Sequence, residues 1–553
     1  MGDRLRAGSF IKQAAILAAA GMVVRIIGFA YRLPLTALIG DEGNGIYGAS
    51  YNLYLFFLVV SSAGFPAAIS RMVSERVAKQ AYYNAHQVFK TCLLLVGGLG
   101  FAASVTLALG AGFFSWVINP EDTETYYAIL ALSPTVFLVA IMAVFRGYFQ
   151  GIATTVPTAV SQLVEGVFNA VFTVVLAMLF YNATGNVAMG AAGATAGKGV
   201  GALFGLFTLL FLYFACYPAI KKQVMYDNAK DIPRESRRGI AKEALGTAFP
   251  IIIGVAVFSI TNLIDTAMVN TILTNMGWER EYVREAFGQL AGKYVPLTTL
   301  PVAVSTAIAT AAIPSIAGSI AQGNVKEANY KINKAVRLSM IISFPAAVGM
   351  GVLADQILLL LFPSFPDGGA LLRVGSVSII FLAISQIATG MLHGCGHMRI
   401  PMQAALAGAG VKVVLNLILI PIPAINVVGS VISTTACYMV AAAINMYMLM
   451  KIMGPGARID LWGVLAKPLL ASGVMALASF SVYHVFFLAL SGVFGLYFSN
   501  AVACLLAIAG GAVVYFVFMY VIKGVGEDDI AMFPMGTRIN KLINRITTKE
   551  AKA

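Results

Sequence analysis

Apolar residues dominate the chain and occur in long runs that are separated by short polar segments. A transmembrane α-helix needs about 20 predominantly apolar residues, and by this criterion residues 11 to 523 form about 14 spans. The runs recur from one end of the chain to the other. The pattern therefore predicts an all-α polytopic membrane protein.

The composition agrees with this interpretation. Of the 553 residues, 59% are hydrophobic and 11% are charged, whereas soluble domains carry about 25% charged residues. The formal net charge of +13 is compatible with nucleic-acid binding in a soluble protein. In a membrane protein it indicates cytoplasmic loops, which collect Lys and Arg, and we expect no nucleic-acid partner.

The polar segments alternate in charge along the chain. The basic ones are the amino terminus with Arg4 and Arg6, then 71–79, 219–242, 326–334 and 451–458. The others are acidic or neutral: "GDEGNG" at 40–45, "NPEDTE" at 119–124 and "PSFPDGG" at 363–369. The positive-inside rule places both termini in the cytoplasm, and an even number of helices requires the same.

Two halves of the chain resemble each other. The segment "AGFPAAISRMVSERVAKQAYYNAHQVFK" at 63–90 parallels "AAIPSIAGSIAQGNVKEANYKINKAVR" at 311–337, and 118–151 parallels 361–396. Parallel repeats of this kind are a known transporter plan. We predict two pseudo-symmetric six-helix bundles (1–218 and 243–453), a cytoplasmic basic linker (219–242), two extra helices (454–523) and a cytoplasmic tail (524–553).

Charged residues interrupt the first apolar run, "MVVRIIGFAYRLPLTALIG" at 22–40. A charge at mid-bilayer costs about 2.5–3.5 kcal/mol on insertion scales, so the presence of Arg25 and Arg32 in an apolar run indicates a compensating interaction or a function. Seven residues apart, they share one helix face at a separation of about 10 Å. One interpretation is a cationic stripe in a water-filled cavity that receives an anionic substrate. In the other, Arg32 snorkels outward and Arg25 pairs with a carboxylate.

Further charges lie within later apolar runs. Asp265 and Lys412 form a candidate ion pair, which would lower the cost of burying both. The pair is either static or opens during transport, and a cation that competes for Asp265 is a third possibility. Glu165 and Lys198 form a second candidate pair with a structural role.

Three other features have more than one interpretation. Lys293, near the outer entry of the eighth span, is either a positive group at a cavity rim or an interface anchor. Arg146 either snorkels at a cytoplasmic helix end or guards an inner mouth. The segment "HGCGH" at 393–397 contains metal-ligand types, but its spacing supplies no fourth ligand, and we expect no metal site and no cofactor.

Three motifs together resemble the polysaccharide-export branch of the multidrug/oligosaccharidyl-lipid/polysaccharide (MOP) flippases, in particular the stage V sporulation protein B type and the MurJ-like lipid II flippases. They are "RIIGFAYRLPLTALIGDEGNGIYGASYNLY", "SSAGFPAAISRMVSE" and "FRGYFQGIATTVPTAVSQLVE". The resemblance extends over about residues 10–523. It implies that the protein moves an undecaprenyl-diphosphate-linked precursor from the inner to the outer leaflet of a bacterial cytoplasmic membrane by alternating access.

The resemblance also implies site residues. In the lipid II flippases, arginines on the first helix face the diphosphate; Arg25 matches one of them, and Arg32 is offset by one residue from the second. Those proteins often carry an arginine on helix two, where this chain has Tyr51 and Asn52. Lys293 matches a basic position before helix eight. The two extra helices resemble those that form a groove for the lipid tail.

A sodium site is a further implication of the resemblance. Asp265 matches an acidic position that helps to bind sodium in some lipid II flippases, and helix eleven supplies Asn and Asp there. The corresponding residues of this chain are Lys412 and Asn416. A lysine ammonium in the place of the ion leads to the hypothesis that this protein does not use sodium at that position.

The sequence thus favours a lipid II flippase, with a role in peptidoglycan synthesis or sporulation, that acts as a monomer on a lipid-linked oligosaccharide among membrane lipids. Export of another lipid-linked polysaccharide unit is the alternative. A multidrug/cation antiporter is disfavoured because its cationic substrates require a carboxylate-lined cavity. An enzyme is also disfavoured, because no loop is long enough for a domain and no cluster of catalytic acids and bases is evident.

Overall fold

A computed structural model describes residues 16–17, 19–118, 124–225, 233–454 and 462–525. Helices account for nearly all of these residues, and no strand occurs among them. The first nine helices are α1 (Ala19–Ala30), α2 (Arg32–Ser62), α3 (Phe65–Ala78), α4 (Tyr82–Leu109), α5 (Ala111–Ile118), α6 (Thr125–Gly151), α7 (Val156–Thr184), α8 (Val187–Met225) and α9 (Arg237–Asn275).

The later helices follow in the same manner, with two short π-helical segments. They are α10 (Arg280–Gly288), a π-helix (Gln289–Tyr294), α11 (Val295–Ala321), α12 (Val325–Val352), α13 (Ala354–Leu361), α14 (Gly369–Gly375), α15 (Ser378–Gly394), α16 (Arg399–Leu419), α17 (Val428–Met453), a second π-helix (Trp462–Ala466), α18 (Lys467–Ser491) and α19 (Leu496–Val521).

Ten helical segments within the described residues are long and apolar enough to cross a membrane, or eleven if the bent pair α14–α15 counts as one span. The all-α polytopic class is therefore confirmed, while the number of about 14 spans stays a prediction. The amino-terminal residues 1–15, with Arg4 and Arg6, and the tail from residue 526 lie outside the described residues. The orientation of the termini also stays a prediction.

Local sequence sets several helix boundaries. Gly40, with φ 67° and ψ −170°, breaks α2 at the last residue of the first apolar run, 22–40. Prolines occupy the first turns of α3, α7 and α18, where a missing N–H costs no hydrogen bond. The Ser236 hydroxyl caps α9 by accepting from the N–H of Gly239 at 3.1 Å. Gly185, with φ 66°, ends α7 in the left-handed conformation.

The segment 40–45, expected from its polarity to be an external loop, is part of a buried helix instead. Helix α2 resumes directly after the break at Gly40 and includes the rest of this segment, in which Asp41, Asn44 and the intervening glycine are buried. The reason is close packing against the segment 284–291: a Cβ on Gly45 would collide with the carbonyl of Arg284, and one on Gly48 would lie 2.6 Å from the side chain of Ala291. The missing side chains make this contact possible.

The described helices belong to two compact units. One lies within Met1–Leu297 and Pro401–Cys437, and the other within Thr298–Ile400 and Tyr438–Ala553. The described residues among the site positions predicted from the sequence all fall in the first unit. The division into bundles 1–218 and 243–453, which rests on the internal repeat, stays a prediction.

The linker region is anchored to the first unit. Arg76 at the end of α3 binds Glu235 through its Nε at 2.9 Å and binds Glu243 through Nη2 at 2.8 Å. The side chain of Asn84 donates to the carbonyl of Pro233 at 3.1 Å. The described end of the linker is thus held by ion pairs and a hydrogen bond to helices α3 and α4.

In the second unit, α18 and α19 pack against α12 and α13. The Tyr515 hydroxyl donates to the carbonyl of Ile341 at 2.8 Å, and Asn500 donates from Nδ2 to the carbonyl of Gln356 at 3.1 Å. Their other faces expose large apolar side chains such as Leu477. Such faces suit contact with lipid.

A row of glycines joins α7 and α8. Gly193, Gly197 and Gly201 recur every fourth residue and so share one face of α8. A Cβ on any of them would collide with the backbone of α7, at Leu176, Thr173 and Asn169 respectively. The row therefore lets the two backbones approach closely, as small residues do in membrane helix pairs. It also fixes the position of Lys198 beside it.

Gly197→Ala is expected to lower the free energy of unfolding by about 1–3 kcal/mol, the usual cost of overpacking, because the added methyl group meets the backbone of Thr173. Unfolding of the purified protein in detergent measures this. Gly98→Ala is the matched control, because its Cβ would meet nothing within 4 Å in the interior of α4. Equal stability of both variants would contradict the packing argument.

Candidate functional site

Arg25 is exposed in the apolar helix α1. Gly28, one turn further along, has open space where a side chain would lie. Among the described residues, no acidic group lies within salt-bridge distance of Arg25. The guanidinium is thus accessible, as a ligand contact requires, and the alternative in which Arg25 pairs with a carboxylate finds no partner in this part of the chain.

Arg32 has a different environment from Arg25. It is half-buried, and its Nη1 donates to the carbonyls of Ala291 at 3.0 Å and Gly292 at 3.4 Å. These carbonyls belong to the first π-helix, whose pattern would pair Ala291 with the N–H of residue 296. Residue 296 is proline, which has no N–H. Arg32 therefore supplies a donor that the backbone lacks.

Lys293 is neither an exposed rim residue nor an interface anchor. Its side chain is 1% exposed, and its Nζ donates to Asp41 Oδ2, itself in a side chain 4% exposed, at 2.7 Å. Arg284 lies in α10, directly before the π-helix, and binds Glu42 at 2.7 Å and Glu124 at 2.8 Å. These ion pairs connect the segment of α2 just after Gly40 with α10 and the π-helix, and α10 with the residue that precedes α6. The burial of Asp41 was not predicted, because Asp41 lies in a polar segment that is typical of an exposed loop.

The carboxylate of Glu165 has a different partner from the one expected. Arg146 Nη2 donates to Glu165 Oε2 at 2.8 Å, and Arg146 Nε donates to the Ser161 hydroxyl at 3.2 Å. The expected Glu165–Lys198 ion pair is therefore replaced at Glu165 by Arg146, because α6 carries that arginine inward instead of to a helix end. Lys198 Nζ lies 5.6 Å from the centroid of the Tyr51 ring.

Asp265 and Lys412 lie together, as the sequence suggested. Lys412 Nζ donates to Asp265 Oδ2 at 2.6 Å and to the carbonyl of Thr261 at 3.2 Å. Asn416 Nδ2 donates to the other carboxylate oxygen at 3.1 Å, and the Thr434 hydroxyl lies 3.4 Å from Oδ2. Asp265 thus receives donors on both oxygens.

The polar network continues on either side of this pair. Asn416 Oδ1 accepts a hydrogen bond from the Ser433 hydroxyl. Asn52 Nδ2 donates to the Thr266 hydroxyl at 3.0 Å, next to Asp265 in the chain. Asn52 therefore links α2 to the Asp265 helix. This bond uses one of the two N–H groups of the Asn52 amide and leaves its carbonyl oxygen unused in this contact.

The residues of "HGCGH" do not gather around a common point. His393 and Cys395 are half-buried, whereas His397 is exposed and its Nδ1 lies 3.0 Å from the carbonyl of Cys395. Within the described ranges, no group of three or more His, Cys, Asp or Glu side chains is placed to hold a metal ion.

Comparison with known proteins decides the family. A family model described as polysaccharide biosynthesis protein matches residues 10–320, which is more than half of the chain. The chain belongs to this family. A second family model, MatE, matches residues 292–418. The resemblance to MOP-superfamily flippases seen in the sequence is thereby confirmed.

Individual relatives extend over most of the chain. The lipid II flippase MurJ of Bacillus subtilis is 26% identical over 466 residues, which cover 82% of this chain and 83% of the relative. Stage V sporulation protein B of the same organism is 24% identical and covers 97% and 99%. A solved structure of lipid II flippase MurJ in an inward closed conformation has a TM-score of 0.65 at 14% identity, over 92% and 98% of the two chains.

Proposed function

We propose that this protein is a flippase that moves an undecaprenyl-diphosphate-linked cell-wall precursor, most simply lipid II, from the inner to the outer leaflet. Arg25 carries this proposal: it places an accessible guanidinium within an apolar helix. Guanidinium groups bind phosphate in two-point hydrogen bonds and stay charged. The names of the two Bacillus subtilis relatives support a lipid-linked cell-wall substrate and a role in vegetative growth or sporulation.

The described carboxylates do not favour the antiporter alternative. Cationic drugs require acidic groups that are free to receive them. Here Asp41, Glu165 and Asp265 each accept from a cationic side chain of the protein, at 2.6–2.8 Å. The accessible guanidinium of Arg25 in α1 suits an anionic head group instead.

Complementation tests the proposal. In a bacterium depleted of its own lipid II flippase, wild type is expected to restore growth and Arg25→Ala to fail, because the diphosphate loses its guanidinium contact. A membrane blot must show equal amounts of the two proteins. Lys331→Met, which removes a cation that already binds Glu327 at 2.7 Å, is the control and is expected to restore growth.

The possible outcomes separate the parts of this proposal. Growth with both proteins would remove Arg25 from the mechanism and leave the substrate intact. No growth with well-expressed wild type would favour the alternative substrate, another lipid-linked polysaccharide unit. Transport of fluorescent lipid II by the purified protein in vesicles then decides between the substrates directly.

Transport is expected to be independent of sodium. The residues around Asp265 do not suit a sodium ion, because the Lys412 ammonium lies between Asp265 Oδ2 and the carbonyl of Thr261. Flipping in sealed vesicles should proceed at the same rate when sodium is replaced by potassium or choline. A strict sodium requirement that is lost in Asp265→Ala would contradict this expectation.

A further inference from the structure

Lys198 lies among aromatic side chains inside the first unit. Its Nζ lies over the ring of Tyr51, which stacks on Tyr47 at a centroid distance of 6.0 Å and an interplanar angle of 5°. Tyr54 also contacts Tyr51, at a centroid distance of 5.8 Å and a tilt of 31°. The hydroxyls of Tyr47 and Tyr31 are 3.0 Å apart. These rings stabilise an ammonium by cation–π attraction but carry no charge that would neutralise it.

The charges near Lys198 do not balance. Glu165 is the carboxylate that interacts electrostatically with Lys198, and it also interacts with Arg146. Arg146 forms the direct ion pair, at 2.8 Å, and among the described residues no carboxylate lies within salt-bridge distance of Lys198. Two cations and one anion leave one positive charge. An uncompensated charge within a membrane is costly and marks a functional position.

A row of tyrosines connects Lys198 with Arg32. Tyr31 directly precedes Arg32 in the chain, and its hydroxyl lies 3.0 Å from the hydroxyl of Tyr47, whose ring stacks on Tyr51. Helix α2 carries no cation at Tyr51 or its neighbour Asn52. Lys198 therefore brings positive charge from α8 to a face of α2 that has none of its own.

We propose that Lys198 is a direct contact for the diphosphate of the substrate, which neutralises the surplus charge as it binds. This inference rests on the proposed function and adds a specific residue to it. Glu165 and Arg146 do not contact the substrate in this proposal. Their ion pair occupies the Glu165 carboxylate and leaves the Lys198 ammonium available to the diphosphate. The Tyr51 ring holds the ammonium in position by cation–π attraction.

Binding of farnesyl diphosphate to the purified full chain in detergent tests this assignment. Lys198→Met is expected to raise the Kd at least tenfold, which corresponds to about 1.4 kcal/mol, because it removes the positive charge. Lys198→Arg keeps the charge, and its Kd is expected to stay within about threefold of the wild-type value. Lys331→Met removes one positive charge elsewhere and should leave binding unchanged. Equal affinity of wild type and Lys198→Met would overturn the proposal.

A chemical rescue distinguishes loss of charge from loss of structure. Lys198→Cys should bind weakly, and modification by aminoethyl methanethiosulfonate should restore binding, because it rebuilds a cationic side chain of similar length. The experiment is done with Cys216, the exposed native cysteine, replaced by serine. Failure of the reagent to reach residue 198, or modification without recovery, would show that Lys198 is not an accessible contact.

The proposed function and the role of Lys198 are tested separately by these measurements. If wild type itself does not bind farnesyl diphosphate, the proposed function is at fault. If wild type binds and the Lys198 variants bind equally well, only the role of Lys198 is wrong. If Lys198→Arg binds as weakly as Lys198→Met while both unfold like wild type, positive charge is not what this position contributes.

Discussion

Lys293→Met is expected to lower the free energy of unfolding by about 3–5 kcal/mol, because it leaves the Asp41 carboxylate without its cation in a position that water does not reach. The two side chains are 1% and 4% exposed, and their charged atoms are 2.7 Å apart. Unfolding of the purified protein in detergent measures the change. The same substitution should loosen the contact between α2 and α10.

A double-mutant cycle provides the control for this ion pair. Asp41→Asn combined with Lys293→Met removes both charges and should recover a large part of the stability that either single variant loses. Arg71→Met removes one member of an exposed pair with Glu75 and should cause no measurable change. Strictly additive losses in the cycle would contradict the direct interaction of Asp41 with Lys293.

Asp265→Asn is expected to destabilise the protein by a comparable amount, about 3–5 kcal/mol, since it leaves the buried Lys412 ammonium unpaired. The Lys412 side chain is 2% exposed and the Asp265 side chain 13% exposed. The asparagine would also present an N–H₂ group toward Lys412 or Asn416, both of which donate to the native carboxylate. Denaturant unfolding in detergent is again the measurement.

Lys412→Met separates the ion pair from its surroundings. Alone, it should cost as much as Asp265→Asn; in the double variant the loss should be smaller than the sum of the two single losses. The hydrogen bond from Asn52 to Thr266 serves as a neighbouring control, because Asn52→Leu removes a neutral contact of 3.0 Å and should cost about 0.5–1.5 kcal/mol. A larger loss of stability in Asn52→Leu than in Asp265→Asn would contradict the dominant role of the ion pair.

The class of fold could be predicted because membranes impose a simple rule on the sequence. A spanning helix must satisfy its own backbone and expose apolar side chains, so length and hydropathy suffice to find it. The pairing of Asp265 with Lys412 was predictable for a related reason: charges in a membrane are few, and each one needs a partner. The break at Gly40 follows from a glycine at the end of an apolar run.

The remaining contacts depend on packing that the sequence does not display. Asp41 lies in a polar segment that is typical of a loop, and its partner Lys293 is 252 residues away. Glu165 had two possible cations, and hydropathy alone does not distinguish Arg146 from Lys198. Two features of the sequence could have indicated these contacts. The glycines within 43–48 allow another backbone to approach closely, and the proline at 296 leaves a carbonyl that needs a donor from another element.

The pair formed by Asp265 and Lys412 also constrains the biogenesis of the protein. Because 147 residues separate the two, Asp265 is synthesised about 7–30 s before its counter-ion, at the usual rate of 5–20 residues per second. During that interval the Asp265 carboxyl has no Lys412 ammonium beside it, and neutralisation by a proton is the state that an apolar environment favours. The first unit therefore reaches its final form only after α16 has left the ribosome, although α1 to α9 precede it.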